Sequence, residues 1–339
     1  MDNIVAFGEI LMRLSPPDHL RFFQASSFET SYSGAEFNTL ASLQNWGLET
    51  QFVTKLPDND FGNKVISEIS RYRVGQKYIA KGGTRLGIYF LEKGSAIRPG
   101  KVIYDRADSA VANIEPGDIN WEEVLKEAEW FHWSGITPGI SRAAAQECLR
   151  ACRVASKMNI TISCDLNYRS MLWKWGKEPK EVLPEILALT NVILSDLATL
   201  FKMLGKEKID PDYSMPETLG DYYEEVLAKC PKLEFLPTTL RYSKSASHQK
   251  IGGIMFSAGN IVTSEIKEII PIVDRLGTGD AFMAGIIYGL SQEWDTQKVL
   301  DFAVASSCFK HTISGDINLA SLDEINAIMQ GDLSALVKR

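Results

Sequence analysis

Apolar residues in this chain fall into short unbroken runs, separated by longer stretches in which they recur every three or four positions. Runs at 4–7, 51–55, 130–134, 161–165, 192–195, 235–239 and 254–256 read as strands buried on both faces. Between many of them, 36–46, 61–72, 143–157, 179–189 and 220–230 carry the spacing of amphipathic helices. This alternation predicts an α/β fold with a mostly parallel sheet covered on both faces.

Two segments break the rhythm. Residues 10–33 and 84–108 mix Thr, Tyr, Phe and Ile with polar residues and show no long helical pattern. Within the second, Leu86-Gly87-Ile88-Tyr89-Phe90-Leu91 and Lys101-Val102-Ile103-Tyr104 flank a turn-rich 93–100, the pattern of a hairpin. The expectation is a small β-subdomain projecting from the main sheet as a lid. The plainer alternative is a hairpin that only extends the sheet edge. No internal repeat, low-complexity tract or linker stands out, so 1–339 reads as one domain, with the lid drawn from about 10–33 and 84–108.

Composition narrows the function classes. The chain is 45% hydrophobic and 23% charged with a net charge of −7, ordinary for a globular protein. The negative balance and the lack of a basic run argue against nucleic acid as a partner. Met1-Asp2-Asn3 leads directly into an apolar run without the basic residues of a signal peptide, and no stretch approaches the ~20 apolar residues of a membrane helix. The five cysteines form no CxxC pair and are expected to be reduced and mostly buried. Together these features predict a cytoplasmic setting with no membrane partner.

The chemistry concentrates near the C-terminus. An apolar run is followed by Asp274-Arg275-Leu276-Gly277-Thr278-Gly279-Asp280 and then by small residues, which reads as strand, glycine turn and a helix starting at Gly279 or Asp280. Unpaired N–H groups at such a helix start, with the helix dipole, form an anion cradle. An aspartate there makes sense if Asp280 takes a proton from a hydroxyl while the cradle holds the phosphoryl group under attack. A bare N-cap role for Asp280 is the plainer alternative. A dinucleotide fingerprint fits poorly, because Phe282 stands where the third glycine belongs, and no G-K-[ST] completes a Walker loop.

With these pieces assembled, the chain resembles the ribokinase-like sugar kinases of the PfkB family, and within it the 2-keto-3-deoxygluconate kinase branch. The family signature Asp-Thr-x-Gly-Ala-Gly-Asp stands here as the 274–280 motif, with Arg275 and Thr278 as departures. A second signature stands as Ser33-Gly34-Ala35-Glu36-Phe37-Asn38. Gly8-Glu9-Ile10-Leu11-Met12-Arg13, Phe131-His132-Trp133-Ser134-Gly135-Ile136-Thr137 and Lys310-His311-Thr312-Ile313-Ser314-Gly315-Asp316 are also typical of that branch. His132 and His311 are assigned no proton chemistry.

The resemblance implies a three-layer α/β/α ribokinase-like sandwich with a small β-sheet lid. It implies Asp280 as base, with Gly277, Thr278 and Gly279 as anion hole, and sugar contacts at Gly34, Ala35, Asn38 and Ile136. A keto acid also carries a carboxylate, which an arginine fork meets well. Tyr89, Tyr104 and Arg106 in the lid, and Arg169 in Asp165-Leu166-Asn167-Tyr168-Arg169, are the expected contacts; the bland alternative for both arginines is a surface ion pair, worth only ~0–1 kcal/mol. For ATP the resemblance implies Asn167, Thr239, Arg241, Ser243, Gly277, Gly279 and Lys310, with Ser306 and His311 near Lys310 in the same wall.

The implied reaction moves the γ-phosphoryl group of ATP to the terminal hydroxyl of an acidic sugar, with Mg²⁺ bridging phosphates. Many ribokinase-like enzymes organise Mg²⁺ through Asn-x-x-Glu, but here the matching place reads Ser195-Asp196-Leu197-Ala198. The Mg²⁺ ligands are therefore left open between Asp196, Asn167 and the phosphates. Relatives place a monovalent cation near the equivalents of Asp274 and Gly315. Competing readings are a fructokinase, a 2-keto-3-deoxygalactonate kinase, or a silent sugar-binding relative. Uncovered lid edges predict a homo-oligomer joined through the lids.

Overall fold

The structure is a computed structural model, and it describes residues 3–331. In chain order the strands are β1 (Asn3–Phe7), β2 (Leu11–Ser15), β3 (Glu29–Ser33), β4 (Glu49–Leu56), β5 (Ile79–Lys81), β6 (Ile88–Glu92) and β7 (Lys101–Asp105). They continue with β8 (Trp130–Ser134), β9 (Thr161–Asp165), β10 (Val192–Leu194), β11 (Phe235–Ser245), β12 (His248–Ser257), β13 (Asn260–Thr263) and β14 (Lys267–Ile269). Among the described residues, ten of these build a central sheet in the order β13-β12-β11-β10-β9-β8-β1-β4-β5, with β14 paired to β12. From β11 to β5 every neighbouring pair is parallel.

Burial explains why these runs become strands. The side chains of β8 are buried at all five positions, and those of β9 at four of five. Apolar side chains on both faces need cover on both faces. One apolar layer packs the sheet against helices Ala35–Asn45, Thr278–Ser291 and Thr296–Lys310. The other packs it against Arg142–Lys157, Pro179–Leu187, Leu197–Met203 and Gly220–Leu227. The result is the expected three-layer sandwich. All five cysteines are buried with free thiols. Among the described residues, no helix is long and apolar enough to cross a membrane.

Two strands are much longer than expected, and the run expected at 254–256 begins already at His248. The run expected at 235–239 continues to Ser245, in an antiparallel ladder with β12. Beyond Leu240 the residues are mostly exposed, so main-chain pairing holds this extension, and apolar pattern does not reveal it.

The two irregular segments do not extend the main sheet. They supply a separate four-stranded sheet in the order β3-β2-β6-β7. The β2–β6 pair is parallel, and both outer pairs are antiparallel. Its own apolar cluster is small: Leu11, Tyr89 and Leu91, with Tyr104 and Leu276 packed against them.

Candidate active site

A cavity of about 700 Å³ opens at the carboxyl ends of β8, β9 and β10, between the central sheet and the small one. Strand ends of an open parallel sheet are where the chain leaves the ladder and side chains become free to meet a ligand.

Its floor includes the start of helix Thr278–Ser291. Gly277 holds the cap position with φ of +73°, and a Cβ there would lie 1.7 Å from the carbonyl oxygen of Asp316. Only glycine fits. Among the described residues no side chain caps this helix, so its first-turn N–H groups remain for a ligand. The helix begins at Thr278, one residue earlier than expected, which makes Asp280 its third residue. The bare N-cap reading of Asp280 therefore fails. Its Oδ2 instead accepts a hydrogen bond of 2.7 Å from Nδ2 of Asn38, joining the two distant motifs.

Asp280 is buried, and burial pushes its carboxyl pKa up to about 7, against the Asn38 hydrogen bond and with help from the charges of Asp165, Asp316 and Glu36. Asp165, at the end of β9, is raised to about 6 by burial, opposed by Arg169, the Asn167 N–H and Arg241. Glu36 is raised by burial although Ser134 and Thr137 hydroxyls donate to its Oε1 at 2.6 and 2.7 Å. Three carboxyl groups thus share one low-dielectric floor, a setting that favours proton uptake.

The remaining expected residues are distributed unevenly. Gly34, Ala35, Tyr89, Tyr104, Arg106, Ile136, Asn167, Arg169, Thr239, Arg241, Thr278 and Gly279 all line the cavity with Asn38 and Asp280. Ser243 and Lys310 do not. Ser243 is exposed on the β11 extension. Lys310 is fully buried, with Nζ donating to the carbonyl of Ile313 at 3.0 Å, and Ser306 and His311 are buried beside it. The wall expected from these residues lies beneath the surface. Gly34 also differs: a Cβ there would strike the carbonyl oxygen of Glu9 at 2.2 Å, so its close approach is to main chain.

The arginines depart from the surface ion-pair alternative in opposite ways. Arg169 is exposed on the cavity side and makes no ion pair among the described residues. Arg106 is buried, and both Nε and Nη2 donate to Oε2 of Glu9. Tyr104 stands beside Tyr89 with ring centroids 6.4 Å apart, and its side chain lines the cavity. On the far side Arg241 Nη2 donates to Thr278 Oγ1 at 3.3 Å. Beyond Thr239 and Arg241 a second hollow of about 340 Å³ continues past Tyr213 and Tyr242.

Glu9, Glu36, Asp165 and Arg275 also line the cavity and were not singled out in the sequence as ligand contacts. Glu36 carried a signal, an acid inside the 33–38 motif, but an acid in a first helical turn is ordinary dipole chemistry. His132, left without proton chemistry, is buried in β8 with its pKa lowered to about 3 by burial.

Known proteins share this architecture. The sequence profile of the pfkB family carbohydrate kinases matches residues 1–323. The crystal structure of 2-dehydro-3-deoxygluconokinase from Thermotoga maritima is 41% identical with a TM-score of 0.91, covering 97% of this chain and 98% of that one. A PfkB family carbohydrate kinase from Listeria grayi is 32% identical with a TM-score of 0.89, covering 97% and 100%. The 2-dehydro-3-deoxygalactonokinase of Haloferax volcanii is 28% identical over 332 residues, 97% of each protein. The chain belongs to the pfkB family of carbohydrate kinases. It is an ATP-dependent sugar kinase.

Proposed function

We propose that this kinase phosphorylates the 6-hydroxyl of 2-keto-3-deoxygluconate to give 2-keto-3-deoxy-6-phosphogluconate. The observation that carries the reading is the Asp280 carboxylate, buried beside an uncapped helix start and bonded to Asn38, in a cavity that also holds Arg169 and Arg106. A base whose pKa lies near the working pH is matched to hydroxyl activation.

In this mechanism the sugar lies against Gly34, Ala35, Asn38, Ile136, Tyr89 and Tyr104, its carboxylate toward Arg169 and the open edge of Arg106. Asp280 takes the proton of the terminal hydroxyl as that oxygen attacks. N–H groups of Gly277, Thr278 and Gly279 hold the transferring phosphoryl oxygens, where developing charge is best stabilised. The nucleotide runs past Asn167, Thr239 and Arg241 toward the hollow at Tyr213 and Tyr242. Closure of the small sheet excludes water that would compete for the phosphoryl group.

Among the described residues, no group of three or more His, Cys, Asp and Glu has metal-binding arrangement. A single free carboxylate edge does suit Mg²⁺, which keeps several waters and binds mainly to phosphates. Asp165 has that edge: Oδ1 accepts the Asn167 N–H, while Oδ2 lies 3.7 Å from where a Gly279 side chain would begin. Among the described residues Asp196 likewise engages only Oδ1, as the cap of helix Leu197–Met203, and it also lines the cavity, so it has the same free edge. When bound, Mg²⁺ neutralises phosphate charge during transfer.

A second reading, phosphorylation of the C4 epimer 2-keto-3-deoxygalactonate, is favoured by the Haloferax relative. We also propose that copies associate through the small sheet, where Ile103 is exposed, with Phe23 and Phe28 exposed in the connection between β2 and β3. A coupled kinase assay with both keto acids and fructose tests the substrate. The gluconate-derived acid is expected to have the highest kcat/KM; a higher value for fructose would reject an acidic substrate.

A further inference from the structure

The monovalent cation implied by family resemblance would lie near Asp274 and Gly315, directly under the glycine turn. Both carboxylate oxygens of Asp274 are already committed. Asp274 Oδ1 accepts the Leu276 N–H at 3.1 Å, and Oδ2 accepts the Gly315 N–H at 3.2 Å. The same Oδ2 lies 3.5 Å from Nη2 of Arg13, whose Nη1 pairs with Oδ1 of Asp316 and whose Nε donates to Ser15 at 2.9 Å. Lys310 is buried close by, its pKa pushed down by burial against the attraction of Asp274 and Asp316. The cluster therefore holds two carboxylates and two cations, all buried. A dissolved cation entering it would add uncompensated charge at low dielectric and would have to displace the guanidinium. This donor set does not fit an added ion.

The guanidinium comes from β2, in the small sheet. Two more strands of that sheet reach the same carboxylate: Ser33 of β3 and Tyr89 of β6 both donate to Oδ2 of Asp316, the latter at 2.8 Å. The Asp316 carbonyl oxygen in turn sits against Gly277, where no side chain has room. One residue thus touches three strands of the roof and the turn of the floor.

We infer that Asp316 latches the small sheet to the Gly277–Gly279 turn, and that Arg13 brings from that sheet the fixed positive charge a dissolved monovalent cation would otherwise supply. Roof docking and turn geometry are then a single event, and the enzyme has no need of potassium. Neither residue touches the reacting atoms; both are positioning residues. The inference rests on the reading of the turn as the phosphoryl site.

The test begins without substrate. Thermal unfolding of the ligand-free protein is compared in potassium and tetramethylammonium chloride at equal ionic strength. The wild type is expected to melt at the same temperature in both, whereas Arg13→Ala melts higher in potassium, and Arg13→Lys behaves like the wild type. A potassium-specific rise in the wild type overturns the inference, as does an Arg13→Ala protein indifferent to the choice of ion. Turnover is then measured with whichever sugar of the panel reacts. Arg13→Ala should lose about 10²-fold in kcat, the scale of a misplaced reacting group, with a smaller change in the KM for ATP. Unchanged kcat also overturns it. Failure of the keto acid as substrate would sink the substrate assignment and leave the melting comparison standing.

Discussion

The floor and the roof of the cavity are held in place by different physics. The floor stands on strands such as β8 and β9, whose side chains are buried in two apolar layers. The roof rests on three buried apolar side chains and on the polar contacts around Asp316. Apolar burial contributes roughly 25 cal/mol per Å² with little dependence on direction, so the floor tolerates small displacements of its neighbours. Hydrogen bonds and ion pairs weaken steeply with misalignment, so the roof is either docked or released. A stable floor under a directionally latched roof lets closure fix the glycine turn while the apolar layers beneath stay in place.

The largest effect should come from the floor. Asp280→Asn is expected to lower kcat by about 10³-fold or more, within the range for removal of a general base. Calorimetric affinities for ATP and sugar should remain within a few-fold of wild type; loss of both would mean a binding role instead. Stability should move the other way. Because the folded carboxyl pKa is raised to about 7 from an ordinary 3.8, the folded state holds a proton that the unfolded chain has released. Its stability contribution is full below 3.8 and is lost as pH climbs to about 7, so Asp280→Asn should melt higher than wild type at pH 8.

Next is the wall that reads the acid. Arg169→Ala should reduce kcat/KM for the keto acid by roughly 10–10²-fold, the worth of a charged hydrogen bond, and should spare a neutral analogue. Equal losses for both substrates would remove the carboxylate argument. Arg169 is the cleaner probe, because Arg106→Ala would also leave the buried Glu9 without its partner.

A smaller effect separates the two glycines of the turn. A Cβ on Gly279 meets nothing closer than 3.7 Å, whereas one on Gly277 collides with Asp316. Gly279→Ala should melt like wild type yet bind ATP about tenfold more weakly, since a methyl group intrudes where the phosphate sits. Gly277→Ala should be destabilised by at least about 1–3 kcal/mol from its left-handed backbone alone. The smallest effect on turnover is expected at the outer face of the roof. Ile103→Glu should leave kcat near wild type while shifting sedimentation toward a smaller species; an unchanged sedimentation coefficient would remove the roof as the interface.

What was legible from residues follows the same division. The boundaries at 130–134 and 161–165 coincide with β8 and β9, because strands buried on both faces stand out as unbroken apolar runs. The β11–β12 extension escaped notice because its outer residues are polar and only the ladder holds them. Asp280 and the glycine turn were readable from the residues themselves, whereas Asn38 came only through the family resemblance, since spacing alone makes it a surface helix residue. Convergence of Glu36 and Asp165 on the same floor was not legible, since they approach only after three strands align. Lys310 misled for a related reason: a lysine in a helix's last turn ordinarily faces water, and here it is fully buried near Asp274 and Asp316.

The central claim concerns the ionisation of one carboxyl group, and the pH dependence of kcat/KM for the sugar, at saturating ATP and Mg²⁺, tests it most directly. The account predicts a plateau above an apparent pKa near 7 and a tenfold fall for each pH unit below it, as Asp280 becomes protonated and can no longer accept the hydroxyl proton. A profile that stays flat down to pH 5 would contradict it.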